Sequence, residues 1–88
     1  MKNIHEFMNT TIDLHGYGAR EAETIIGDFV DFWQIHKKET KQQLTVITGW
    51  GRHSPNNIPV LKPMFLDMMR KRGIRVYQRN KGCFIIEI

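Results

Sequence analysis

Eighty-eight residues support a single small core and argue against a second domain. Hydrophobic residues at 41% and charged residues at 25% are ordinary globular usage, which excludes wholesale disorder, and a lone cysteine, Cys83, excludes an internal disulfide framework. The net charge of +4 is uneven: residues 1–44 hold five Lys/Arg against seven Asp/Glu, and residues 45–88 hold eight against two, a positive half that suits a phosphate-bearing partner. Within it, Arg70-Lys71-Arg72 reads more simply as cations at a helix C-terminus. No apolar run is long enough to cross a bilayer, and Met1 to Phe7 lacks the hydrophobic centre of a secretion signal. The expected location is therefore intracellular, in the cytoplasm or the nucleus, with no membrane partner.

Residues 1–10 read as an N-terminal arm or linker remnant, packed through Ile4, Phe7 and Met8 if at all, and residues 11–88 as the domain. Thr11 to His15 alternates with period two, placing Ile12 and Leu14 on one strand face and Asp13 and His15 on the other, roughly 6.6 Å apart. Gly16 and Gly18 end that strand. Ala22, Ile25, Ile26, Phe29, Val30 and Trp33 recur at helical spacing, predicting an amphipathic helix from Ala19 to about Lys37. After a polar loop, Leu44 to Thr48 predicts a nearly continuous, buried strand.

Ser54 to Asn57 reads as a loop, and a second helix should begin near Pro59 or Val60, because Pro63 must fall close to its first turn. Leu61, Met64, Phe65, Met68 and Met69 form its stripe, and Gly73 its stop. Ile74 to Gln78 predicts a strand, Asn80-Lys81-Gly82 a hairpin turn, and Cys83 to Ile88 a closing strand. The order is β-α-β-α-β-β.

Two Gly/His motifs stand out: Asp13-Leu14-His15-Gly16-Tyr17-Gly18 and Thr48-Gly49-Trp50-Gly51-Arg52-His53-Ser54. Each follows a strand-like run and precedes a helix. A strand-helix-strand unit leaves its two strands parallel, so both motifs should meet at one sheet edge, where open α/β sheets bind ligands. Helix N-termini there favour anions, and Gly16, Gly18, Gly49 and Gly51 permit close backbone approach. A carboxylate, two imidazoles and a guanidinium at one edge suit phosphodiester chemistry.

These residues carry a family resemblance. The DLHG sequence, followed some thirty residues later by TGWGRHS and then Leu61-Lys62-Pro63, resembles the small MutS-related (Smr) domain from Thr11 to Ile88. Thr11-Ile12 departs from the Leu-Asp pair more usual there, while Asp13 to Gly16 match. The resemblance implies an α+β, two-layer sandwich: a mixed four-stranded sheet with two helices, similar to the C-terminal domain of translation initiation factor 3. It also implies an endonuclease that nicks or cleaves DNA or cuts RNA. Other domains of a larger parent protein would then associate it with ribosomes or with DNA repair.

The site residues carried over are Asp13, His15, Gly49, Gly51, Arg52 and His53. His15 is the candidate general acid or base, since imidazole titrates near pH ~6.5. Asp13 would orient it or hold a divalent ion, Arg52 would neutralise charge on the reacting phosphate, and His53 would protonate a leaving oxygen or bind phosphate. An RNA substrate can supply its own 2′-hydroxyl as nucleophile, whereas DNA requires an activated water and a metal such as Mg²⁺ or Mn²⁺. Gly16, Gly49, Trp50, Gly51, Ser54, Lys62, Arg79 and Lys81 complete the candidate nucleic-acid contacts.

Duller roles compete for the same residues. Asp13 can cap the following turn, and His15 can hydrogen-bond across a strand end. Arg52 and His53 can be ordinary loop residues, and Trp50 and Tyr17 either stack on bases or cover the core. His5, His36 and Cys83 show no zinc spacing. A non-catalytic module that positions a partner domain on nucleic acid remains the alternative function. A dinucleotide site is disfavoured because Gly16-x-Gly18 lacks the remaining glycine of that fingerprint.

Overall fold

The computed structural model describes residues 9–37, 41–49 and 60–88. Its elements are β1 (Thr11–Asp13), α1 (Ala19–His36), β2 (Gln43–Ile47), α2 (Leu61–Arg72), β3 (Arg75–Asn80) and β4 (Cys83–Glu87), in the order expected. The strands form one sheet in the order β1-β2-β4-β3. β1 and β2 run parallel, and β4 is antiparallel to both β2 and β3. The α+β class and mixed four-stranded sheet implied by the sequence are therefore present.

Alternation and helical spacing decide which side is buried. Leu44 and Val46 of β2 and Phe84 and Ile86 of β4 are fully covered, while the residues between them are not. Ala22, Ile26, Phe29 and Val30 of α1 and Phe65 and Met69 of α2 pack onto that face, with Leu14 closing the core beyond β1. The Phe65 and Phe84 rings lie 5.5 Å apart, so the middle of α2 rests on the central strand. Phe29 and Phe65 are core residues as expected, whereas Trp33 is only partly buried and donates its indole N–H to the Asn9 carbonyl. Thr10 accepts from the Thr45 amide, so the end of the expected arm is hydrogen-bonded to the domain. Ile4, His5, Phe7 and Met8 lie outside the described residues.

Element ends differ slightly from expectation, each for a local reason. The β1 ladder stops at Asp13, although Leu14 still donates to the Ile47 carbonyl, because the chain then turns with Tyr17 N–H bonded to the Leu14 carbonyl. β3 runs on to Asn80, past the expected end at Gln78, because an irregularity between Gln78 and Asn80 absorbs one residue. Only Lys81 and Gly82 remain as the connecting loop. Pro63 is the third residue of α2, where the helix does not need its N–H.

Gly73 stops α2 in the left-handed conformation (φ 69°, ψ 27°), and Ile74 N–H reaches back to the Met69 carbonyl at 2.9 Å, the bond of a Schellman cap. The cations just before it are occupied locally. Arg72 bonds Asp31 of α1 at 2.8 Å, and Arg70 and Lys71 both pair with Asp67. Their hydrogen bonds, Arg70's first and Lys71's second, hold the Asp67 carboxyl below its ordinary value of 3.8. This run therefore serves the helix end, as its simpler reading had it.

Two outcomes follow for stability. Gly73→Ala should lower the unfolding free energy by about 1 kcal/mol in urea titrations; no atom lies within 4 Å of the added methyl, so the cost is that of the backbone conformation alone. Because the Asp67 pKa is depressed in the folded chain, its contribution is present above 3.8 and is lost as pH falls through the lower folded value. Asp67→Asn should accordingly flatten the acid limb of a stability-versus-pH curve by lowering stability slightly at neutral pH, the pair being solvent-screened, while leaving the strongly acidic end unchanged.

Candidate active site

Parallel β1 and β2 bring the first motif and the start of the second to the same sheet edge. Asp13 is in register with Ile47, and Ile47 with Cys83 of β4. Since β4 runs the other way, its first residue and the Lys81-Gly82 loop stand at that edge too.

The first motif is a tight turn. Asp13 and His15 are both exposed. The Asp13 carboxylate accepts the His15 backbone N–H at 2.9 Å, so the turn-capping role is present in the geometry. Gly16 occupies the third position of the Leu14–Tyr17 turn with φ +87°, a conformation that costs a side-chain-bearing residue about 1–2 kcal/mol. The cap and the glycine together fix where the His15 side chain leaves the backbone.

Gly49 ties the second motif to the first. Its φ is +79°, and a methyl group on it would lie 3.7 Å from His15 Cδ2 and 3.9 Å from His15 Cβ. The start of the second motif thus faces the imidazole across about the width of one methyl group. Its start is anchored from the other side: the Gly82 carbonyl accepts the N–H groups of both Thr48, at 2.8 Å, and Gly49, at 3.3 Å. Asn80 Oδ1 in turn accepts the Gly82 N–H at 3.0 Å. Thr48 is the one buried polar residue among those described, and its hydroxyl donates to the Gly49 carbonyl.

In the sequence, Asn80 and Gly82 signal only a hairpin turn. The Asn-x-Gly pattern marked the turn, but its place beside the second motif depends on strand order, which no local signal carries.

The other candidates are distributed around this edge. Arg79 and Lys81 are exposed on the hairpin that reaches it. Lys62, at the start of α2, sits on the helix side with its ammonium 5.9 Å from the Phe84 ring centroid, a cation–π distance. Tyr17 is 46% exposed, so it does not cover the core. At the start of α1, Glu21 Oε1 lies 3.7 Å from where a Gly18 side chain would begin. A carboxylate of the chain itself therefore stands by that helix N-terminus. Trp50, Gly51, Arg52, His53 and Ser54 lie outside the described residues.

Among the described residues no three His, Cys, Asp or Glu side chains cluster to hold a metal. Mg²⁺ is commonly held by one or two carboxylates together with substrate phosphates. The exposed Asp13 carboxylate fits that mode as a single protein ligand.

The model of the Smr domain family matches residues 12–82. Endonuclease NBR9 of Saccharomyces cerevisiae is 34% identical over 90 residues, a match taking in all of this chain and 36% of that protein. The chain thus spans about a third of that curated relative's length. The B3BP Smr domain in solution superimposes with a TM-score of 0.76 at 26% identity, covering 90% of this chain and 77% of that one. The crystal structure of the human small-MutS related domain gives 0.63 at 26% identity, covering 88% and 98%. No helix among the described residues is long and apolar enough to cross a membrane.

The approach of Gly49 to His15 yields a direct check. Gly49→Ala should cost about 1–2 kcal/mol for its left-handed backbone, and the His15 ring resonances should move in NMR spectra while core amides such as Val46 stay in place.

Proposed function

The chain belongs to the Smr domain family, and from that premise we propose that it is an endonuclease module acting on RNA or DNA. The observation carrying this reading is the approach of the motifs: Gly49 faces His15 so closely that a methyl group on it would touch the ring, and Asp13 fixes the His15 backbone. An exposed imidazole beside a glycine-rich loop lets a phosphodiester approach closely from solvent. The name Endonuclease NBR9 borne by a 34% identical relative supports cutting over binding alone.

In this mechanism His15 takes the proton from the attacking hydroxyl or gives one to the leaving oxygen, the task for which an imidazole is suited near neutral pH. Asp13 sets the His15 backbone by accepting its N–H. Arg52 is proposed to offset the charge accumulating on the phosphate oxygens, and His53 to serve the leaving group. Arg52 is three positions from Gly49, a tether of roughly 11 Å at full extension. Arg79 and Lys81 are proposed to hold flanking phosphates, with Gly16, Trp50, Gly51, Ser54 and Lys62 lining the approach. A bound Mg²⁺ or Mn²⁺ would supply Lewis-acid activation of water for a DNA substrate.

The non-catalytic alternative has one observation behind it: the Asp13 carboxylate already serves as a turn cap, a role that positions a binding loop equally well. Labelled single-stranded, duplex and branched RNA and DNA, incubated with Mg²⁺ or EDTA, separate the two. Cleavage should fall by at least about a hundred-fold in His15→Ala, with binding retained. Retention of nucleic acid without product on any substrate would leave the binding module. End-group chemistry of the product would identify a 2′-hydroxyl attack if RNA is cut.

A further inference from the structure

The helices cover one face of the sheet, and the reading above assigns nothing to the other. Cross-strand partners share a face, so the register places Thr11, Thr45, Ile85 and Tyr77 in one row across all four strands. Their neighbours Leu44, Val46, Phe84 and Ile86 are buried under the helices, which puts this row on the helix-free side. Asp13 stands on the same side, two residues along β1 from Thr11 and paired with Ile47. The candidate active site therefore opens directly onto this face.

Chemically the face carries one exposed aromatic ring, Tyr77, with cations beside it. Tyr77 is 46% exposed, and its hydroxyl accepts from Arg75 Nη1 at 3.3 Å. Glu87, the acid of the adjoining row, faces Arg75 across the strands and has Lys41 at 4.0 Å. Arg79 near the end of β3 and Lys81 in the loop after it are exposed and continue the basic character toward the active edge. Three inter-strand steps of about 4.8 Å separate β3 from β1, roughly 14 Å. An extended single strand needs only a few nucleotides to cover that distance.

We infer that the helix-free face is a platform for a single-stranded nucleic-acid segment, one base stacking on Tyr77 while the strand continues to the Asp13/His15 edge. Stacking on a protein aromatic requires an unstacked base, which a single strand offers and a duplex does not. The inference rests on the nucleic-acid reading of the same edge and adds the form of substrate it takes.

Fluorescence anisotropy tests it, with labelled eight-nucleotide RNA and DNA single strands and the matching duplexes. The background is His15→Ala, so that the probe stays intact. Tyr77→Ala should weaken single-strand binding about ten-fold, Tyr77→Thr, which keeps strand propensity, should do the same, and Tyr77→Phe should bind normally. Duplex binding should be weaker and indifferent to all three. Unchanged single-strand affinity in Tyr77→Thr would overturn the platform. So would a duplex bound as tightly as the single strand, or a dimer in sedimentation that Tyr77→Thr dissociates, since a second copy would then own the face. Cleavage by the wild-type chain without Tyr77-dependent binding sinks the platform alone. Tyr77-dependent binding without cleavage sinks the nuclease and leaves the platform standing.

Discussion

One carbonyl oxygen holds the functional end of this domain together. Gly82, at the tip of the β3–β4 hairpin, accepts the amides of Thr48 and Gly49 and so fixes the start of the second motif. Gly49 in turn faces His15 with room between them for no more than a methyl group. The arrangement exists because β4 is inserted between β2 and β3, antiparallel to both. A strand running that way begins where β1 and β2 end. Three segments far apart in sequence are thereby brought to one edge, and the turn residues there spend their backbone groups on one another.

That bracing also defines what the edge can offer a ligand. The Thr48 and Gly49 amides are committed to Gly82, and the His15 amide to Asp13. The start of α1 has Glu21 beside it. Under the proposed function, recognition of phosphate at the described part of the edge would therefore fall to side chains, His15, Arg79 and Lys81 among them, more than to a cradle of free amides. The glycines matter chiefly for their left-handed conformations at Gly16 and Gly49. The helix-free sheet face then supplies the breadth that so small an edge lacks.

Much of this architecture was legible beforehand. The apolar stripe of α1, the Pro63 and Gly73 limits of α2 and the alternation in β2 are local patterns, each written within a few turns or pleats of chain. The pairing of Asp13 with the His15 amide was also legible, because an Asx cap depends on residues only two apart. Less legible were the short β1 ladder and the long β3. Their lengths depend on partners: β1 stops where the chain turns off β2, and β3 is carried on by an irregularity opposite β4. The place of Lys62 was not legible either: its ammonium lies over the Phe84 ring, a neighbour twenty-two positions away.

By itself the sequence determined the six elements, the family they belong to and the two motifs, since periodicity, caps and glycine turns act over short range. Tertiary structure alone decided that the β3–β4 hairpin would brace the second motif, and that Tyr77 would share an open face with Asp13. Both depend on strand order and register, which are set by how the helices bury Leu44, Val46, Phe84 and Ile86 together. That burial is a property of the whole packed chain, and no single segment encodes it.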